Sequence, residues 1–158
     1  MDWFGIVKWL HILSSTVLFG TGVGTAFQML WAMRGDDPAV IARVAGGVVV
    51  ADWIFTTPAG IVQPATGLWL VYLAGHDPFA PWLVAAWGLY GLALVCWLPV
   101  VHLQIRIRDL ARAAAIAKQP LPSTARRAFA IWFALGWPAF AALLAVFWLM
   151  VARPVALF

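Results

Sequence analysis

Four long apolar runs alternate along the chain with short segments in which glycine, proline and charge collect. The first extends from about Phe4 to Met33 and stops at Arg34-Gly35-Asp36-Asp37-Pro38, where Gly, Asp and Pro all favour a break. The second covers about Ala45 to Ala74, and Gly75-His76-Asp77-Pro78 ends it with the same turn chemistry. A third runs from about Trp82 to Gln104 and a fourth from about Phe129 to Val151, closed by Arg153-Pro154. About 20 predominantly apolar residues cross a bilayer as a helix. The pattern therefore predicts an all-α, four-helix transmembrane bundle, with residues 1–158 as a single integral membrane domain.

Composition agrees. Apolar residues make up 65% of the chain and charged residues 10%, whereas a soluble domain carries about 45–50% and about 25%; a soluble globular protein is excluded. The first run has no basic segment before it and no small-residue cleavage pattern, so it reads as a retained span and not a signal peptide. The single cysteine, Cys96, excludes an intrachain disulfide and a cysteine cluster for zinc or iron–sulfur.

Charge sets the expected topology. The segment 105–128 between the third and fourth spans holds six of the ten Lys and Arg residues, and the first connection adds Arg34 and Arg43. The connection at residues 75–81 holds none. The positive-inside rule puts both basic connections in the cytoplasm and both termini on the outer, periplasmic side. Topology thus accounts for the net charge of +4, and no nucleic-acid partner is expected. The alanines and arginines from Arg106 to Lys118 should extend the third helix beyond the membrane until Pro120 and Pro122 stop it. Of the eleven tryptophans, Trp3, Trp9, Trp31, Trp69, Trp82, Trp132 and Trp148 lie near the ends of the runs, as an interfacial aromatic belt requires. Gly20 and Gly24, at small-xxx-small spacing, and Gly88 and Gly91 are expected to be packing contacts.

An ionisable side chain inside hydrocarbon needs a partner or a purpose. The candidates are His11, Ser14 and Ser15 in the first span, Asp52, Thr56, Gln63 and Thr66 in the second, and His102 and Gln104 in the third. His11, Ser15, Leu18, Gly22, Thr25 and Met29 follow a helical stripe, and Asp52, Thr56, Ala59, Gln63 and Thr66 follow a matching one, the pattern of inward faces. Gly88, Gly91, Val95, His102 and Arg106 lie roughly on one side of the third span. At about 1.5 Å per residue, His11, Gln63 and Thr66 reach one level and Asp52 and His102 another. The levels differ by roughly 15 Å, too far for His11 and His102 to be the two axial ligands of one haem. For the outer level two readings stand: His11 is a haem or porphyrin ligand in a helix bundle, or its imidazole is satisfied by Ser14, Ser15 or Gln63. For the inner level, Asp52 is a proton-relay or substrate carboxylate, or it pairs with Arg43, Arg106 or His102. His76, beside Asp77, is expected to be a solvated turn residue.

Several stretches carry a resemblance that covers nearly the whole chain: Lys8-Trp9-Leu10-His11-Ile12-Leu13-Ser14-Ser15 with Gly20-Thr21-Gly22; Ala51-Asp52-Trp53-Ile54-Phe55-Thr56-Thr57-Pro58; Gln63-Pro64; Thr66-Gly67-Leu68-Trp69-Leu70; Trp97-Leu98-Pro99-Val100-Val101; and Gln104-Ile105-Arg106. Together they resemble the bacterial integral membrane family known as domain of unknown function 2269. Leu10-His11, Thr57-Pro58-Ala59, Gly67-Leu68-Trp69-Leu70 and the late histidine of the third span are also distantly similar to HemJ-type protoporphyrinogen oxidases and the related copper-resistance membrane domain. Asp52, Gln63 and the basic segment stand outside that second pattern. The resemblance implies haem b in a small helical bundle, with His11 as the metal ligand and His102 as the second histidine, near Arg106.

The resulting expectation is a multi-pass protein of the bacterial inner membrane that binds haem b or a porphyrin for electron transfer or tetrapyrrole oxidation. His11 would ligate the metal and Ser14, Ser15, Gln63 and Thr66 would shape the cofactor pocket, while Asp52, His102 and Arg106 would handle protons or propionates. Its partners would be membrane lipids and either further copies of itself or a larger membrane complex. The alternative is a cofactor-free membrane scaffold or accessory subunit, and a third reading is a small transporter protonated at Asp52.

Overall fold

Asp2 starts the first helix by accepting a hydrogen bond from the Gly5 N–H, and Asp37 starts the second by accepting one from Ala39 N–H, both the work of a capping side chain. In the computed structural model, which describes residues 2–154, the elements are α1 (Trp3–Gly35), α2 (Pro38–Ala51), a π-helical turn (Asp52–Thr56), α3 (Thr57–Leu73), α4 (Pro81–Ile116) and α5 (Ser123–Ala152). Pro38 and Pro81 occupy first-turn positions, where a missing N–H costs nothing.

Helices α2 and α3 and the turn between them form one continuous rod, Pro38–Leu73, so four helices are long and apolar enough to cross a membrane. The π turn has a local cause: Pro58 offers no N–H to the Ile54 carbonyl, and the backbone widens until the Thr57 N–H bonds to the Asp52 carbonyl, five residues back. The second helix starts at Pro38, ahead of its apolar run, because the Asp37 cap and Pro38 set its origin. The α4 rod continues past Gln104 to Ile116. At about 1.5 Å per residue its 36 residues measure about 54 Å, well beyond a hydrocarbon core of about 30 Å. It ends with Lys118 at φ 52°, where Lys118 N–H bonds to Ala115 O and Gln119 N–H to Ala114 O, closing the last carbonyls of the helix. Gly75, at φ 64°, ends α3 in the same way, with His76 N–H on Val71 O.

Packing is densest at the end of the bundle that carries the basic connections. There Met29, Ala32 and Met33 of α1, Ile41, Ala45 and Val48 of α2, Ile107 and Ala111 of α4, and Ala125, Ala128 and Trp132 of α5 form one buried cluster. Towards the termini α1 packs along α3 and α4 along α5, and Phe19 bridges the pairs by stacking on Phe140 at 5.3 Å and meeting Phe147 edge-on at 5.4 Å. Large apolar side chains such as Phe27, Trp31, Ile61 and Trp148 point outward, as a surface solvated by lipid tails requires.

Three expectations change. Trp132 is buried and not part of an outward belt, because its indole serves a buried polar group. Gly20, Gly22 and Gly24 have open space where a Cβ would stand, as do Gly88 and Gly91, so none is a packing contact within the chain. The inward face of α4 is Leu83, Ala86, Ala93, Cys96, Gln104, Ile107, Ala111 and Ala114; the side bearing Val95, His102 and Arg106 faces outward.

Candidate functional site

The polar residues of the spans gather at two levels. At the level nearer the termini, α1 brings His11 and Ser14 against Gln63 and Thr66 of α3. The Thr66 hydroxyl donates to the Val62 carbonyl at 2.7 Å, which spends its one proton, so at 2.9 Å it accepts from His11 Nδ1–H. The imidazole lone pair is thereby fixed on Nε2, where it accepts from the Gln63 amide nitrogen at 3.1 Å. Gln63 Oε1 in turn accepts from the Ser14 hydroxyl. Gly67 gives the ring its place: a Cβ there would stand 3.2 Å from His11 Cε1. Ser15 stays outside the cluster and donates to the Ile12 carbonyl of its own helix. His11, Ser14, Gln63 and Thr66 are thus brought together; Ser15 is not.

The second level lies about 16 Å along the rod, eleven residues from Gln63 to Asp52. Asp52 is 6% exposed and Gln104 1%. The Thr56 hydroxyl donates to Asp52 Oδ1 at 2.7 Å, the Gln104 amide nitrogen donates to Oδ2, and Trp132 Nε1–H donates to Gln104 Oε1 at 3.3 Å. This chain ties the second, third and fourth spans. Neither Arg43, Arg106 nor His102 meets the carboxylate: the ion pairs among the described residues are Arg108–Asp109 and Arg126–Asp36. The reason is angular. His102 and Arg106 each stand two residues from Gln104, about 200° around the helix, and both are exposed on the opposite face.

Between the levels, Tyr90 donates to the Gly60 carbonyl at 2.6 Å. Pro64, four residues after Gly60, has no N–H for that carbonyl, and the tyrosine hydroxyl from α4 replaces it. Tyr90, Trp97 and Gln104 recur every seven residues on α4, so they share one stripe; the Trp97 indole N–H is buried without a partner among the described residues. Trp132, Tyr90 and Gly67 were not among the expected site residues, and Gln104, a candidate by its polarity within the span, had been given no role. Gln104 was accessible to sequence reasoning, since it falls in register with Ala93, Ile107 and Ala111.

Where the third span gives way to its basic extension, the exposed side of α4 carries a shallow open groove of about 440 Å³, lined by His102, Ile105, Arg106, Asp109 and Leu110 of that one helix. The Arg108 Nε donates to Asp109 at 2.8 Å, and that hydrogen bond is the main cause holding the Asp109 carboxyl below its ordinary range. His76 lies edge-on to Trp82, 5.7 Å between ring centres, and Arg153 covers the same indole at 5.8 Å; His76 is half-buried in this aromatic corner and is not a freely solvated residue. Among the described residues there is no group of three or more His, Cys, Asp or Glu placed to hold a metal ion.

A family profile described as "Predicted integral membrane protein (DUF2269)" matches residues 5–154. No curated protein and no solved structure matches the chain.

Proposed function

The chain belongs to the DUF2269 family of integral membrane proteins, and from that premise we propose that it binds haem b or a related porphyrin, which His11 would hold through Nε2, in electron transfer or tetrapyrrole oxidation. One observation carries the reading: the Thr66 hydroxyl lies 2.9 Å from His11 Nδ1 while bonded to the Val62 carbonyl, which favours the proton on Nδ1 and so the arrangement a metal-ligating imidazole needs, with the lone pair on Nε2 and the second nitrogen held by an outer partner. The donor chemistry of the cluster therefore fits the group. Gly67 leaves the imidazole its room. Haem would supply one-electron exchange.

The side chains divide the remaining work. Thr66 orients the imidazole. Gln63 is the gate on Nε2, since its amide must turn away before the nitrogen can take another partner, and Ser14 holds the other end of that amide. Asp52, hydrogen-bonded by Thr56 and Gln104, is the proton acceptor of the second level. His102 and Arg106 face away from it and take no part there. By the positive-inside rule both termini lie on the outer side of a bacterial cytoplasmic membrane, which puts His11 in the outer leaflet and Asp52 in the inner one. The open glycine face of α1 would serve contacts with further copies or with a larger complex.

A second reading is favoured by a specific contact. The Gln63 amide already satisfies Nε2, so the cluster is complete without a guest, as in a cofactor-free scaffold or accessory subunit whose polar layers tie helices together. A pyridine haemochrome assay on protein purified after expression with ample haem separates the two. Near-stoichiometric haem supports the first reading, and colourless protein supports the second.

A further inference from the structure

The face of α4 that turns away from Gln104 has a composition of its own. Along it run Gly88, Gly91, Val95, Leu98, His102 and Arg106, at spacings of three and four residues. Val95 and Leu98 are 67% and 59% exposed, and the two glycines have open space where side chains would stand. From Gly88 to His102 is fourteen residues, about 21 Å, the order of length of one extended acyl chain and somewhat more than half of a hydrocarbon core of about 30 Å. This smooth track ends in the groove formed by His102, Ile105, Arg106, Asp109 and Leu110, where the apolar run gives way to the basic extension.

The charge of the groove points one way. Arg106 is exposed and meets no carboxylate among the described residues. The one acidic lining residue, Asp109, is held by Arg108, and Arg112 follows one turn after Arg108. Arg106, Arg108 and Arg112 thus outnumber Asp109 three to one over seven residues, and Arg106 is the arginine that lines the groove. Ile105 and Leu110 supply apolar walls beside the charge. A free guanidinium at the level where an acyl track ends is the chemistry of a phosphate site in the headgroup layer, because arginine binds phosphate through paired N–H donors and juxtamembrane basic residues attract anionic lipid.

We propose that the His102–Arg106 face of α4 binds an anionic glycerophospholipid, its phosphate on Arg106 and His102 and one acyl chain along Leu98, Val95, Gly91 and Gly88. A zwitterionic lipid is disfavoured because its ammonium head would be brought against the arginines. The site is separate from the His11 cluster and does not depend on whether that cluster holds a cofactor.

The test is native mass spectrometry of the full chain in mild detergent, titrated with phosphatidylglycerol, phosphatidylcholine or inorganic phosphate. The wild type is expected to retain phosphatidylglycerol in preference to phosphatidylcholine. Arg106→Gln should weaken retention about fivefold or more, Arg106→Lys should keep it within about threefold, and His102→Gln should weaken it about twofold to threefold. Arg127→Gln, an exposed arginine of α5, should leave it unchanged. Equal retention of the two lipids, or retention by Arg106→Gln and His102→Gln equal to wild type, overturns the proposal. So does displacement of phosphatidylglycerol by an equal concentration of inorganic phosphate, which would mark a phosphate site without an acyl track.

Discussion

Gln104 donates to the Asp52 carboxylate across two spans while its own carbonyl accepts from Trp132, so one neutral side chain stands where a cation would be expected to balance a buried acid. Replacing it with an apolar residue strands two groups at once. Gln104→Leu should cost about 2–4 kcal/mol, read as a lower midpoint of unfolding in a denaturing detergent. Gln28→Leu, at an exposed position of α1, should stay within about 0.5 kcal/mol of wild type. Similar losses in the two variants would mean that the amide does not support the carboxylate.

Tyr90 substitutes for a backbone donor that Pro64 removed. Tyr90→Phe should cost about 1–2 kcal/mol, the penalty for an orphaned buried carbonyl. Restoring the N–H by Pro64→Ala in the same background should recover most of it, so the double-mutant cycle is expected to show coupling of about 1 kcal/mol. Strict additivity would break the link between the proline and the tyrosine.

The sequence made the four spans legible because apolar run length is a direct consequence of bilayer thickness, and the second-span stripe from Asp52 to Thr66 was legible because inward faces keep helical spacing. Asp52, Thr56, Ala59 and Thr66 are all buried on it, and Gln63 joins them in contact with His11. The first-span stripe was less secure. Ser14, not Ser15, enters the cluster, because three residues from His11 place it on the Gln63 side, and a choice between neighbours needs the rotation of α1 relative to α3. The third span misled for a related reason: its histidine and arginine drew attention to what is the lipid face, while Gln104, an uncharged residue amid small apolar ones, marked the inward face. The π turn was not legible, because whether the chain kinks or widens ahead of Pro58 depends on neighbouring helices.

Gly67 leaves room for the close approach of the His11 ring. Gly67→Ala should press on the imidazole and cost about 1–2 kcal/mol, which offsets the gain alanine brings to a helix interior, whereas in a His11→Ala background the same change should stabilise by about 0.5–1 kcal/mol. Unfolding midpoints of the four proteins measure this coupling, and an equal effect in both backgrounds would assign the glycine to something other than the ring.

Lys118 holds a left-handed backbone at φ 52° in the turn that ends α4. An L side chain is strained there and glycine is not. Lys118→Gly should therefore raise stability by about 0.5–1 kcal/mol in thermal or chemical unfolding, despite the loss of a charge. A destabilised variant would indicate that the lysine side chain makes contacts that outweigh its backbone strain.

If His11 presents Nε2 to a haem or porphyrin, reduced-minus-oxidised optical spectra of wild-type protein and His11→Ala, both purified after expression with ample haem and compared at equal protein concentration, will differ. Soret and alpha bands at near-stoichiometric haem are expected in the wild type, and their loss in the variant. A colourless wild type, or a His11→Ala protein that keeps the full Soret band, would contradict that role for His11.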